Sequence, residues 1–109
     1  MGTYQVTHNQ NTLTVKLEGK FDQALTAEFV NAFQTEVAKI QPANTELKFL
    51  AENFQVLGAD MHDTLKSCFE LYQKLGFKKV LMDLGTNAIL NMQVKRIAAA
   101  AGLQNVEIL

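Results

Sequence analysis

Apolar and polar residues alternate strictly near the start of the chain, in "TYQVTH" (3–8) and again in "TLTVKLEG" (12–19) through Leu13, Val15 and Leu17. A period of two places every second side chain on the same side of a strand. Asn9-Gln10-Asn11 lies between the two runs and supplies turn formers. The pattern predicts an antiparallel hairpin with one buried face. From about Asp22 to Ile40 the period lengthens: Phe29, Val30, Phe33, Val37 and Ile40 form one helical stripe. Asp22 or Thr26 can accept the orphan N–H groups at the start of that helix, and Pro42 lies just beyond its end.

The alternation returns in "TELKFLA" (45–51), a strand with Leu47, Phe49 and Ala51 on one face. Met61, Leu65, Cys68, Phe69, Tyr72 and Leu75 then recur at helical spacing until Gly76, with Asp63, Lys66, Glu70, Gln73 and Lys74 on the opposite arc. "KKVLMDL" (78–84) is a nearly continuous apolar run, which predicts a strand covered on both sides. Leu90, Val94, Ile97 and Ala101 mark a third helix, capped by Thr86 or Asn87 and ended by Gly102, and "NVEIL" (105–109) closes as a short strand. The predicted core includes Leu65, Phe69, Val80, Leu81 and Ile97.

The order β-β-α-β-α-β-α-β predicts an α/β fold: a mixed, mostly parallel sheet with an antiparallel N-terminal hairpin and three helices. No linker, internal repeat or composition shift divides residues 1–109, so a single domain is expected.

Composition narrows the function classes. Ten Lys/Arg against eleven Asp/Glu leave a net charge of -1, and Lys78–Lys79 is the longest basic cluster. Neither a nucleic-acid footprint nor a basic membrane-surface patch fits that balance. No stretch approaches the length of a membrane span, so no membrane insertion is expected. A lone cysteine, Cys68, and no secretory leader pattern point to the cytoplasm.

A search for catalytic chemistry finds little. The six glycines make no phosphate-binding loop, and His8 and His62 have no metal-ligand spacing around them. No catalytic residue, metal site or cofactor is expected. Cys68 sits within an apolar stripe, where a structural thiol is the simpler reading than a nucleophile. "DMHD" (60–63) is the densest polar cluster. It reads either as a site at a helix start or as capping by Asp60 with Asp63 offsetting the helix dipole. Asp83, late in a core strand, is either a pocket carboxylate or a solvated group where the strand exits. Met92 falls opposite Leu90 and Val94, either a lone exposed methionine or part of a contact surface.

Two motifs carry a resemblance. "TVKLEGKFD" (14–22) looks like the opening V-x-L-x-G-x-[LF]-D run of the STAS domains, the anti-sigma factor antagonists and their relatives. "VKRIAAAAGL" (94–103) resembles that family's V-[KR]-R-x-x-x-x-x-G-L segment before the last strand. The element order is also the family's, so the likeness spans about residues 4–109. It fails at two places. The lead-in to the third helix, "GTNAILNMQVKR", is longer than usual. Where the family has an Asp late in the central strand and then D-[ST]-[ST]-G-L, this chain has Leu50 and then Gly58, Ala59, Asp60, Met61 and His62. Ala59 thus occupies the degenerate phosphoacceptor position, and Thr64 and Ser67 further along do not match the motif.

The resemblance implies a non-catalytic protein–protein interaction module that lacks the usual phosphorylation switch. Its partner would be an anti-sigma factor or kinase-like regulator, bound through Asn53, Gly58, Ala59, Asp60, His62 and Asp63. The alternative on the same fold is a small-molecule or nucleotide-binding sensor.

Overall fold

The structure is a computed structural model that describes residues 2–51, 54–55, 58–85 and 88–108, with the backbone alone at 54–55 and 58–61. Strands β1 (Thr3–His8) and β2 (Thr12–Lys20) form the expected hairpin, pairing Tyr4 with Leu17 and Val6 with Val15. Asn9 closes its turn: the side-chain oxygen accepts from the Asn11 and Thr12 amides at 3.2 and 3.0 Å. Helix α1 (Gln23–Val37) starts at Asp22, whose Oδ1 accepts from the Leu25 amide at 2.7 Å, so the cap read from the sequence is in place.

The periodic stripe ran to Ile40, but α1 stops at Val37. Lys39 and Ile40 instead donate to the carbonyls of Glu36 and Val37, three residues back, which tightens the last turn and ends the helix. A single tight turn over Pro42–Asn44 leads into β3 (Glu46–Leu50). A two-residue strand β4 (Phe54–Gln55), not foreseen, pairs with the end of β2 at Gly19 and Lys20. Helix α2 (Gly58–Leu75), strand β5 (Lys79–Asp83), helix α3 (Ala88–Ala100) and strand β6 (Val106–Ile108) follow. The Thr86 and Asn87 caps proposed for α3 lie outside the described residues.

Both helix stops read as glycine are real. Gly76 and Gly102 have φ of 74° and 73°, a region that side chains other than glycine's adopt at a cost. At the end of α3 the Leu103 amide reaches the Ala98 carbonyl and the Gly102 amide reaches Ala99, both at 3.1 Å. This is the nested pair of bonds that satisfies terminal carbonyls, and buried Leu103 supplies its apolar contact.

The sheet order is β1-β2-β3-β5-β6, antiparallel at β1–β2 and parallel elsewhere. Each parallel crossover moves one place in the same direction, so right-handed connections put all three helices on one face. Burial agrees. Leu13, Val15, Leu17, Leu47, Phe49, Ala51, Val80, Met82 and Leu84 are buried, whereas Lys16, Lys48, Lys79, Asp83 and Glu107 on the other face are exposed.

This corrects two expectations for β5. The strand is covered on one side, and Leu81 is half-buried on the open face, apart from the core cluster that holds Leu65, Phe69, Val80 and Ile97. A continuous apolar run is compatible with two covered faces but does not require them. Lys79–Glu107 and Lys16–Glu18 ion pairs, at 2.7 and 3.1 Å, keep the open face polar around Leu81 and Leu50.

An aromatic cluster joins the layers. Phe33 of α1 lies 5.0 Å from Tyr72 of α2 between ring centroids, and Phe69 packs edge-on against Phe49 of β3 at 5.7 Å. Tyr72 is 1% exposed, and its hydroxyl has no hydrogen-bond partner among the described residues. A buried hydroxyl that surrenders its water and gains nothing costs stability. Tyr72→Phe should therefore stabilise the protein by about 1 kcal/mol, read as a higher urea midpoint at unchanged slope. An unchanged or lower midpoint would mean that the hydroxyl is satisfied in solution.

Candidate functional site

In a parallel sheet with crossover helices, ligands and partners gather where strands end and helices begin. Here that rim holds the ends of β2, β3 and β5 and the start of α2. Its residues divide into those the structure places and those it leaves aside. Asn53 lies outside the described residues. Gly58, Ala59 and Asp60 form the first turn of α2, with their side chains outside the described set. Ala59 is the second helical residue, so its amide is among the four that lack an intrahelical acceptor. His62 is half-buried and Asp63 is exposed, one turn along the same helix. Asp63 is thus a solvated carboxylate close to the positive end of the helix dipole.

Asp83 lines none of the hollows formed by the described residues. It is exposed where β5 ends, and its Oδ1 accepts from the Gly85 amide at 3.1 Å, holding the turn in which Gly85 has φ of 66°. The solvated reading of this carboxylate is the correct one. Cys68 is 7% exposed, inside the core stripe of α2. Burial pushes its thiol up to about 11, so the reactive thiolate is scarce near neutral pH. The structural reading of Cys68 therefore holds.

Sequence reasoning missed a groove between α1 and α2. Thr26, Ala27, Val30 and Asn31 face Thr64, Ser67, Cys68 and Leu71 across about 480 Å³ of open space. Each helix read separately shows its buried stripe, but how far two stripes diverge depends on packing. Thr26 donates its hydroxyl to the Asp22 carbonyl at 2.7 Å, so that part of the wall is internally satisfied. A larger, polar hollow of about 840 Å³ lies at the other end of the sheet, beside His8, Asn11, Lys39 and Asn44. There His8 Nδ1 and Glu36 Oε2 are 2.5 Å apart, tying the end of β1 to α1. The bond to His8 first, then that from Lys39, holds the Glu36 carboxyl below its usual range. Asn44 and Gln41 bond to each other across the same hollow at 3.0 Å, which leaves it little free chemistry.

The outer face of α3 differs from the rest of the surface. Ile89 and Met92 are 67% and 59% exposed, the only large hydrophobics so exposed among the described residues. Their spacing of three puts them side by side on the helix, and α3 packs along α2. Met92 therefore belongs to a pair, a point the sequence left open because Ile89 could equally have turned inward. Among the described residues, no three His, Cys, Asp or Glu side chains converge as a metal site would require, and no helix is long and apolar enough to cross a membrane. No family model matches the chain, and no match was found among the curated proteins.

Proposed function

We propose that this chain is a cytoplasmic, non-catalytic protein–protein interaction module, similar to the anti-sigma factor antagonists and bound by an anti-sigma factor or kinase-like regulator. The observation that carries the reading is the exposed pair Ile89 and Met92 on α3, beside the helix whose start bears Ala59, Asp60, His62 and Asp63. Interface cores favour large apolar anchors such as methionine, ringed by polar groups. The motifs at 14–22 and 94–103 support the family assignment, and alanine at position 59 supports binding that does not wait for phosphate.

The test uses the chain with a candidate kinase-like anti-sigma factor, in the presence and absence of ATP. Binding should not depend on ATP, and no phosphate should appear at the start of α2. Ala59→Ser restores a hydroxyl where helix amides can hold a phosphate, and it should make binding ATP-dependent. Asp60→Asn should weaken binding by about 1–3 kcal/mol while costing the fold no more than about 0.3–1 kcal/mol, because Asp60 is the third residue of α2 and loses only its charge at the positive end of the helix dipole. Phosphate mapped to Thr64 or Ser67 would show a displaced switch instead of an absent one. The groove between α1 and α2 favours a second reading, a small-molecule sensor, for which native mass spectrometry should find ligand carried through purification.

A further inference from the structure

The charge pattern of α3 says what kind of partner its outer face fits. The helix sequence "AILNMQVKRIAAA" contains no acidic residue, although the whole chain is slightly acidic. Lys95 and Arg96 are exposed, and neither is in an ion pair among the described residues. Lys16, Lys39 and Lys79 each meet a carboxylate, whereas Lys20, Lys48, Lys66, Lys74 and Lys78, like Lys95 and Arg96, are in no ion pair among the described residues. What sets α3 apart is that its two cations adjoin the exposed apolar pair. Ile89, Met92 and Arg96 follow one another at helical spacing, with Lys95 alongside, so two apolar side chains lead directly into two unneutralised cations. A hollow of about 470 Å³, lined by Gly85, Ala88, Asn91, Met92 and Lys95, runs along one side of the ridge. Scattered exposed hydrophobics are ordinary. A pair flanked by two exposed cations and a recess is a patch with a direction.

We propose that this face docks an acidic amphipathic helix of a protein partner, its apolar side seated on Ile89 and Met92 and its carboxylates facing Lys95 and Arg96. The proposal rests on the interaction-module reading and adds the partner's chemistry. Complementary charge steers the encounter and sets orientation, while the apolar contact supplies most of the holding energy. A helix is the fitting shape because the ridge on α3 has the spacing that packs into the groove of another helix.

The test titrates three synthetic peptides into the isotope-labelled full chain and follows amide shifts. One carries leucine at helical spacing with glutamate elsewhere, the second has lysine in place of glutamate, and the third has glutamine. The acidic peptide should give saturable shifts centred on residues 88–96, weakening as salt is added. Reversing both charges, Lys95→Glu with Arg96→Glu, should lower its affinity by roughly tenfold or more and transfer the preference to the lysine peptide. Ile89→Gln with Met92→Gln should abolish binding of all three at unchanged melting temperature, since both positions are exposed. Equal binding of the glutamine peptide would overturn the acidic assignment while leaving an apolar interaction face in place. Shifts centred on the α1–α2 groove or on the open sheet face, or no saturable shift at α3 with any peptide, would overturn the docking site itself. The interaction-module reading is then judged separately, by the regulator's response to Asp60→Asn.

Discussion

Phe33→Ala should lower the unfolding free energy by about 3–5 kcal/mol, a large share of the roughly 5–15 kcal/mol that a domain of this size has in total. Phe33 is buried and touches three other rings: Phe29 on its own helix, Tyr72 of α2 and Phe77 ahead of β5. It is therefore the side chain that locks α1 to the second crossover. Removing the ring loses its transfer from water and leaves a cavity that neighbouring rings, fixed by their own backbones, can only partly fill. Urea unfolding monitored by circular dichroism measures the loss. A cost below about 1 kcal/mol would place Phe33 at a site that collapses freely, contrary to its position among rings held by α1, α2 and the segment leading into β5.

The second large effect is alkaline. Burial disfavours the thiolate of Cys68 and pushes its thiol up to about 11 in the folded protein, from an ordinary value of 9.0. The folded state thus holds this proton more tightly than the unfolded chain. Its contribution is complete below about pH 9 and is lost as pH rises toward 11, about 3 kcal/mol in all. Tyr72 acts in the same direction: burial, and then the neighbouring Cys68, raise its hydroxyl well above 10.0. Stability should therefore begin to fall near pH 9 in the wild type and near pH 10 in Cys68→Ala. The slope of unfolding free energy between pH 9 and 10 is the readout, since Cys68→Ala also removes some burial at every pH. Equal slopes in the two proteins would show that the thiol is reached by water in the native state.

The candidate surface was less legible than the fold, and the difference has a physical origin. Asp22, Gly76 and Gly102 could be placed from their neighbours alone because capping and left-handed turns are decided within a few residues. The polar cluster at 60–63 could be found but not given a role, since capping and recognition draw on the same residue types at a helix start. Met92 could be placed opposite the buried stripe. Its pairing with Ile89 depends on how α3 is rotated against α2 and the sheet, which one helix's pattern does not determine to within one residue. Asp83 was ambiguous for a similar reason: a carboxylate at a strand end faces a pocket or water according to the loops around it, and here it closes its own turn.

Local periodicity determined the hairpin, the three helices and the alternation that makes the sheet parallel, because each follows from which side chains must leave water within one element. Tertiary structure decided how the elements share the apolar surface. All three crossovers run the same way, so one face of the sheet takes every helix and the other stays open. Leu81, apolar in sequence, therefore lies half-buried on the uncovered side, while its neighbours Val80 and Met82 are sealed. The same packing left α1 and α2 apart along a groove and turned Ile89, Met92, Lys95 and Arg96 outward together. Burial within an element is set by short-range period, whereas the surfaces left over are set by the angles and spacings at which elements meet.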